Sequence, residues 1–504
     1  MPGLLQVLNR PVYAVLAVAA IAAALRFAGL GSPPERVFDE FYYPKAACIL
    51  LGDSNKACDV TSENERYWRR QQWDVGSWVH PPLGKWMIAM GERAFGVDSP
   101  FGWRFSSAVA GTLVCVMIAL IAQVLWGQPL WTFVAGLLAA VDSLEFVLSR
   151  LSLLDIFVAF WVVLGFLCLV LDHRWIERRT APGDGDAPAR PDAETAPTPE
   201  RPRRRVPSPV WRPWRFAAGV AFGGAASVKW SGAFALVGAV LLTLAWETTR
   251  RRRAERGGVR AFGETVLWEG FGMGLCFVLV PAAVYVATWL PWIHHFDWDF
   301  SYWWFDNQVA AWHYHRDLQW TALDVATHTY TPTHPYYSRA WTWLIPTRPV
   351  SMFAHRTGDT QVEILAIGNP AIMWGSAFAL PYLAYAWRRK RDWGAGLVLV
   401  AALTTWLPWF VFSRPQFFFY MAPVTPFLAL AGAYLARDLS DMRLILTDRE
   451  TGTLIESRRH PYRPIAWVYL ALAVGLFIWF FPVLTGEAIS LGHWRLIVWF
   501  RGWI

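Results

Sequence analysis

LSLLDIFVAFWVVLGFLCLVL, residues 151–171, holds a single charge, Asp155, in an otherwise uninterrupted apolar run. A helix of about 20 residues crosses a hydrocarbon core roughly 30 Å thick. The run has no polar stripe, and a helix that is apolar on every side is enclosed by other helices or by lipid. One such stretch could be the core of a large soluble domain. Its repetition along the chain excludes that. Of the 504 residues, 55% are hydrophobic, 16% aromatic and only 17% charged, where soluble domains carry roughly 25% charge.

Eleven such runs are read, at 11–30, 102–126, 129–148, 151–171, 214–228, 231–249, 265–290, 368–387, 394–412, 417–436 and 465–483. The first is too long for a signal-peptide core, and no small-residue cleavage site closes it, so it is expected to be retained. The predicted fold class is an all-α polytopic membrane protein, with residues 1–504 forming one transmembrane domain. The net charge of +8 is not a nucleic-acid patch, and no nucleic-acid partner is expected. The arginines and lysines concentrate at 173–213, 250–262, 388–393 and 437–464, and basic loops mark the cytoplasmic side. Eleven spans with a cytoplasmic N-terminus put all four segments there and the C-terminus outside. Both flanks of 214–249 must then be cytoplasmic, so this stretch crosses twice, turning at Ser227–Trp230.

Residues 173–213 are rich in Pro, Ala and charge, which predicts a disordered cytoplasmic loop. The loops 31–101 and 291–367 are expected outside. Both are rich in Trp and Tyr, as interfacial segments are. Within the first, HPPLGKWMIAMGERAFG (80–96) begins with prolines and continues amphipathically, predicting a surface helix. Cys48 and Cys58 lie in this polar loop, and their spacing alone does not decide whether they are bonded.

This orientation gathers the conspicuous polar residues on the outer side. Asp39 and Glu40 in VFDEFYYPK (37–45) follow the first span, and His80 precedes the surface helix. Arg104 and Asp155 stand near the outer starts of their spans, Lys229 and Arg414 lie in outer turns, and Arg348 lies in the second outer loop. A charge at membrane depth is costly and points to function. Arginine and lysine at a span end also serve as snorkelling anchors, so Lys229, Arg104 and Arg414 admit both readings. Aspartate cannot snorkel far, which favours function for Asp155. Asp39–Glu40 alone fits a helix cap as well as a site. Together, cations suit a lipid-linked phosphate and a carboxylate suits proton removal from a hydroxyl. His294–His295 and His313-Tyr314-His315 lack the i, i+4 spacing of a helical metal pair, and no Cys joins them. They read as interfacial or substrate-contacting. No metal site and no cofactor is assigned, with a divalent cation left open.

At these residues the chain resembles the protein O-mannosyltransferases, polytopic glycosyltransferases of the GT-C class. The resemblance runs nearly end to end through FDEFYYPK (38–45), HPPLGKW (80–86), WRFSSAVAGTL (103–113), SRLSLLDIFVAFW (149–161), SVKWSGAF (227–234), HYHRDL (313–318), THPYYSRAWTWLIPTRPV (333–350), IGNP (367–370) and RPQFFFYMAPV (414–424). It implies a GT-C fold and transfer of mannose from polyprenyl-phosphate-mannose to Ser or Thr hydroxyls of exported proteins. The transfer would be extracytoplasmic and invert a β donor to an α product. Asp39 matches the proposed general base and Glu40 its partner, thought to help bind acceptor. Arg104, Asp155, Arg414, His80 and Lys229 match positions around the donor phosphate and sugar. His334, Tyr336, Arg348 and Asn369 fall in motifs expected to contact the acceptor or order the loop. Fungal and animal members carry a β-trefoil domain in the second outer loop, and residues 291–367 leave no room for one. The implied type is bacterial, in the plasma membrane, with acceptors delivered by the Sec translocon. Two other readings stay open: a GT-C enzyme moving an arabinose-type sugar to a glycolipid or polysaccharide, and a transporter or flippase. The halves show none of the symmetry common in transporters.

Overall fold

A computed structural model describes residues 10–54, 56–60, 79–180, 208, 210–253, 257–324, 329–332, 334–443, 445–447, 454–456 and 459–503. Most of the loop expected at 173–213, and parts of 31–101 and 437–464, lie outside the described residues.

A helix lies at each expected span: Pro11–Phe27, Pro100–Trp126, Pro129–Ala140, Leu154–Thr180, Pro213–Val228, Phe234–Arg252, Gly258–His295, Pro370–Arg389, Trp393–Phe410, Thr425–Asp441 and Arg463–Thr485. Among the described residues six are long and apolar enough to cross a bilayer, while Pro11–Phe27 and Pro129–Ala140 are shorter apolar helices. Five of the eleven begin with proline. A first-turn residue has no intrahelical partner for its N–H, and proline lacks that N–H and fixes φ near the helical value.

Of the six long apolar helices, the one formed by the opening stretch is the most enclosed, with 78% of its most apolar window buried. It runs on to Thr180, beyond the apolar run, because Glu177 pairs with His173 at 3.2 Å and with Arg174 at 3.2 Å on the polar extension. Small residues set how closely its neighbours approach. A Cβ on Gly219 would stand 2.0 Å from the Cys276 carbonyl oxygen, and one on Gly223 would stand 2.8 Å from the Pro281 Cα. The Pro213–Val228 helix therefore packs directly on the backbone of Gly258–His295, at and just beyond that helix's π-turn, Leu275–Leu279.

Two expectations are revised. The run 129–148 is not one helix. It stops at Ala140 and restarts as Ser143–Leu148, because the Asp142 carboxylate caps the second piece by accepting from the Glu145 N–H at 3.0 Å. Arg212, read as part of a disordered loop, is 3% exposed. It makes bonds of 3.0 and 2.6 Å to Asp172 and one of 3.0 Å to Glu247, while Arg215 reaches Glu269 at 2.7 Å. This buried ion cluster ties four helices at the end carrying the basic segments.

The opposite end holds shorter elements. Leu83–Phe95 is helical, as HPPLGKW predicts. Cys48 and Cys58 are joined by a disulfide. Among the described residues the predominantly helical fold also carries three small antiparallel sheets. The largest pairs Val350–Thr357 with Thr360–Ala366 and adds Ile489–Ser490 at the far edge.

Candidate active site

Asp155 opens its helix with 4% exposure, and Lys229 ends the two-helix turn with 7%. The turn folds the lysine back onto the aspartate, with Nζ 2.7 Å from Oδ2. Lys229 Nζ also lies 5.7 Å from the Phe419 ring centre and 5.4 Å from that of Tyr420, so the 414–424 stretch covers the pair. Asp39 is half-buried and within electrostatic reach of both. Burial lifts its carboxyl to about 6; the Lys229 charge opposes the rise and the Asp155 charge adds to it. The Tyr43 phenol donates to Asp39 Oδ2 at 3.4 Å, and burial and the nearby carboxylates hold that phenol protonated.

Beside this group lies a cavity of about 390 Å³. Lys229, Arg316, Arg414, His80 and His315 line it with Trp230, Phe234, Trp312, Trp409, Phe412 and Tyr420. Cations thus sit against an aromatic wall, the arrangement an amphiphile with an anionic head requires. His80 is kept neutral first by burial and then by the positive charge of Lys229. Its ring lies 6.3 Å from that of Tyr43, linking the cavity to Asp39.

Glu40 points the other way. It is fully buried and accepts four bonds: from Arg104 Nε at 2.8 Å and Nη2 at 2.7 Å, from the Ser152 N–H at 2.8 Å and from the Val37 N–H at 3.1 Å. Arg104 spends its remaining donors on the carbonyls of Leu30, Pro33 and Glu35. A guanidinium has five N–H groups, and all five are engaged. Arg104 therefore has no donor left for a phosphate, and Glu40 no free lone pair for an acceptor. In this structure the two residues tie the loop after the first helix to the bundle.

Asn369 is likewise bonded within the fold. It is fully buried, caps Pro370–Arg389 by accepting from the Ala371 N–H at 3.1 Å, and donates to the carbonyls of Val141 and Ala473. Arg348 donates to the Pro335 carbonyl at 2.8 Å and the Gly502 carbonyl at 3.0 Å, holding the second loop to the chain's last turn. His334 falls closer to the site, and the Tyr336 ring lies 5.7 Å from its ring. The His334 ring stacks on Tyr337 at 5.3 Å and meets Phe417 edge-on, Phe417 stacks on Phe419 at 5.3 Å, and Phe419 meets Phe38 at 5.7 Å. A ladder of rings thus joins the second loop to the residue before Asp39.

Of the predicted residues, the fold gathers Asp39, Asp155, Lys229, His80 and Arg414 around one mouth. It adds Tyr43, which the sequence reading left without a role, and His315, which was read only as one of several interfacial or substrate-contacting histidines. Tyr43 stands four residues after Asp39 in FDEFYYPK, a helical spacing that brings side chains together. No group of three His, Cys, Asp or Glu disposed to hold a metal occurs among the described residues. Asp155 takes the Lys229 ammonium as its counter-ion.

A helical bundle with charged groups gathered over an aromatic cavity is the architecture of a GT-C glycosyltransferase. The fold matches the Saccharomyces cerevisiae Pmt1–Pmt2 complex bound to the sugar donor with a TM-score of 0.70, at 12% identity, covering 100% of this chain and 94% of that one. It also matches apo ArnT from Cupriavidus metallidurans with a TM-score of 0.52, at 15% identity, covering 94% and 76%. At such identities the likeness is one of fold. The sequence carries the assignment further. Residues 16–183 and 200–297 match the dolichyl-phosphate-mannose-protein mannosyltransferase family, and residues 300–503 match the C-terminal four-span region of protein O-mannosyltransferase. The chain is 32% identical to the polyprenol-phosphate-mannose–protein mannosyltransferase of Mycolicibacterium smegmatis, covering 96% of this chain and 92% of that protein. The counterpart in Mycobacterium tuberculosis is also 32% identical, over 96% and 90%. The chain belongs to the protein O-mannosyltransferase family.

Proposed function

We propose that this protein transfers mannose from polyprenyl-phosphate-mannose to Ser or Thr hydroxyls of proteins, with inversion, on the outer face of the plasma membrane. The N-terminus is cytoplasmic and the C-terminus outside. The observation that carries the mechanism is a half-buried carboxylate with spare lone pairs, Asp39, beside a cavity that pairs cations with aromatic walls.

In this reading the aromatic wall receives the first isoprene units, and Arg414 and Lys229 hold the phosphate. The acceptor oxygen attacks the anomeric carbon from the face opposite the phosphate. As that bond forms, the bond from the anomeric carbon to the phosphate oxygen breaks, and its electron pair leaves with the phosphate. Asp39 takes the acceptor proton as general base. Charge grows on the phosphate in the transition state, so fixed cations there favour the transition state over the ground state. Asp155 holds Lys229 in place. A single displacement needs no covalent nucleophile and no step through a metal. Acceptors are secreted or membrane proteins met as extended chains, as they emerge from the Sec translocon.

The test is transfer in detergent from polyprenyl-phosphate-mannose to a Ser/Thr-containing peptide. Asp39→Asn keeps shape and removes the base, and it should lower kcat roughly 10²–10⁴-fold. Full activity in that variant removes Asp39 from the chemistry. Transfer to a glycolipid but not to the peptide would instead favour the arabinosyltransferase-like reading.

A further inference from the structure

Arg414 is the cation of the cavity whose direction depends on one other ring. Its Nη1 lies 2.8 Å from His315 Nδ1, and the other ring nitrogen, Nε2, lies 2.8 Å from the Val79 carbonyl. A guanidinium only donates and a carbonyl only accepts. Both contacts are hydrogen bonds in one state alone, the neutral ring with its proton on Nε2. Two more contacts fix the ring plane: it stacks on His80 at 5.3 Å and 25°, and meets Trp230 edge-on at 5.6 Å. His315 therefore joins the chain before Leu83–Phe95, the helix Ala310–Asp317 and the turn at Arg414. Arg414 Nε is buried without a partner, so the guanidinium is held at one corner with donor capacity left over.

We infer that His315 is a positioning residue: its neutral ring aims Arg414 at the phosphate of the lipid donor. This rests on the donor-binding reading above. Holding one corner of the guanidinium removes rotamer freedom before the ligand arrives, which strengthens binding without His315 touching the ligand.

The experiment is a double-mutant cycle on the full chain in detergent, titrated with polyprenyl phosphate, which carries no sugar. His315→Gln can still donate to Val79 but loses the Nδ1 acceptor. His315→Asn places an amide oxygen near Nδ1 and retains it. His315→Gln should weaken binding roughly 10-fold, the size of a lost bond to a charged group, and have no further effect once Arg414→Ala is present. His315→Asn should recover most of the loss. In the transfer assay His315→Gln should raise the donor KM and also lower kcat, because Arg414 no longer faces the phosphate on which charge grows, and His315→Asn should recover both. Equal effects of His315→Gln with and without Arg414, or an Asn variant as weak as the Gln variant, would overturn the inference. If His315→Gln lowers the unfolding temperature, the comparison of His315→Asn with wild type decides alone. Binding coupled as described in a chain that moves no mannose would sink the transfer reading and leave this one standing. Additive effects with transfer intact would do the reverse, and no binding by the wild type would sink both.

Discussion

Asp39 and Glu40 are neighbours in sequence with opposite fates, and the backbone separates them. Phe38 has φ +50°, a left-handed conformation costing a bulky residue about 1–2 kcal/mol. It lies directly before the pair, where Glu40 enters the bundle and Asp39 stays at the mouth. Glu40→Gln should therefore lose stability, by about 3–5 kcal/mol, because it leaves Arg104 buried without its counter-charge. Asp39→Asn should lose rate with little change in stability. Thermal unfolding of the two variants, read beside their transfer rates, separates the roles, and an Asp39→Asn protein that unfolds early would contradict the assignment. The raised Asp39 carboxyl also sets a pH limb. A base held at about 6 is protonated and idle below that pH and ionised above it. kcat/KM should fall about tenfold per pH unit below 6 and level off above it, and Asp39→Asn should abolish the limb. The sequence alone left the acidic pair open between a helix cap and a site, and it could not separate the two carboxylates, because Glu40's partners, Arg104 and Ser152, lie 64 and 112 residues away.

Helix positions were legible because apolar length and first-turn proline act locally. What lay beyond reading was where an apolar run is cut and which small residues bear a contact. Asp142 cuts the run 129–148 by offering a side-chain cap, and nothing in its neighbours' hydropathy announces that. Gly219 and Gly223 are four apart among many glycines, and only the packed structure distinguishes them from Gly270, which has open space around its would-be Cβ. Gly219→Ala should destabilise the protein by about 1–3 kcal/mol, since the Cys276 carbonyl it meets is backbone and cannot rotate away. Gly270→Ala should be neutral or stabilise by up to about 1 kcal/mol through helix propensity. Unfolding temperatures in one detergent check both signs, and two equal shifts would refute the packing account.

At the scale of the whole molecule, the basic segments and the site must occupy opposite faces. The bundle divides its charges accordingly: the Arg212–Asp172–Glu247 cluster anchors the end with the arginine runs, and Asp39, Lys229 and Arg414 gather at the other. Lipid-linked sugar and exported acceptor meet only if that second end faces outward, and the positive-inside bias predicts that it does. The three free cysteines are buried, so introduced cysteines report cleanly. Phe41 is exposed beside Asp39, and Arg391 is exposed in the basic turn at the other end. A membrane-impermeant maleimide on intact cells should label Phe41→Cys and leave Arg391→Cys unlabelled until the membrane is opened. Labelling of both positions from one side would mean that the chain does not carry its site across the bilayer from its arginines. The reversed pattern would put the site in the cytosol, where an exported acceptor could not reach Asp39 after translocation.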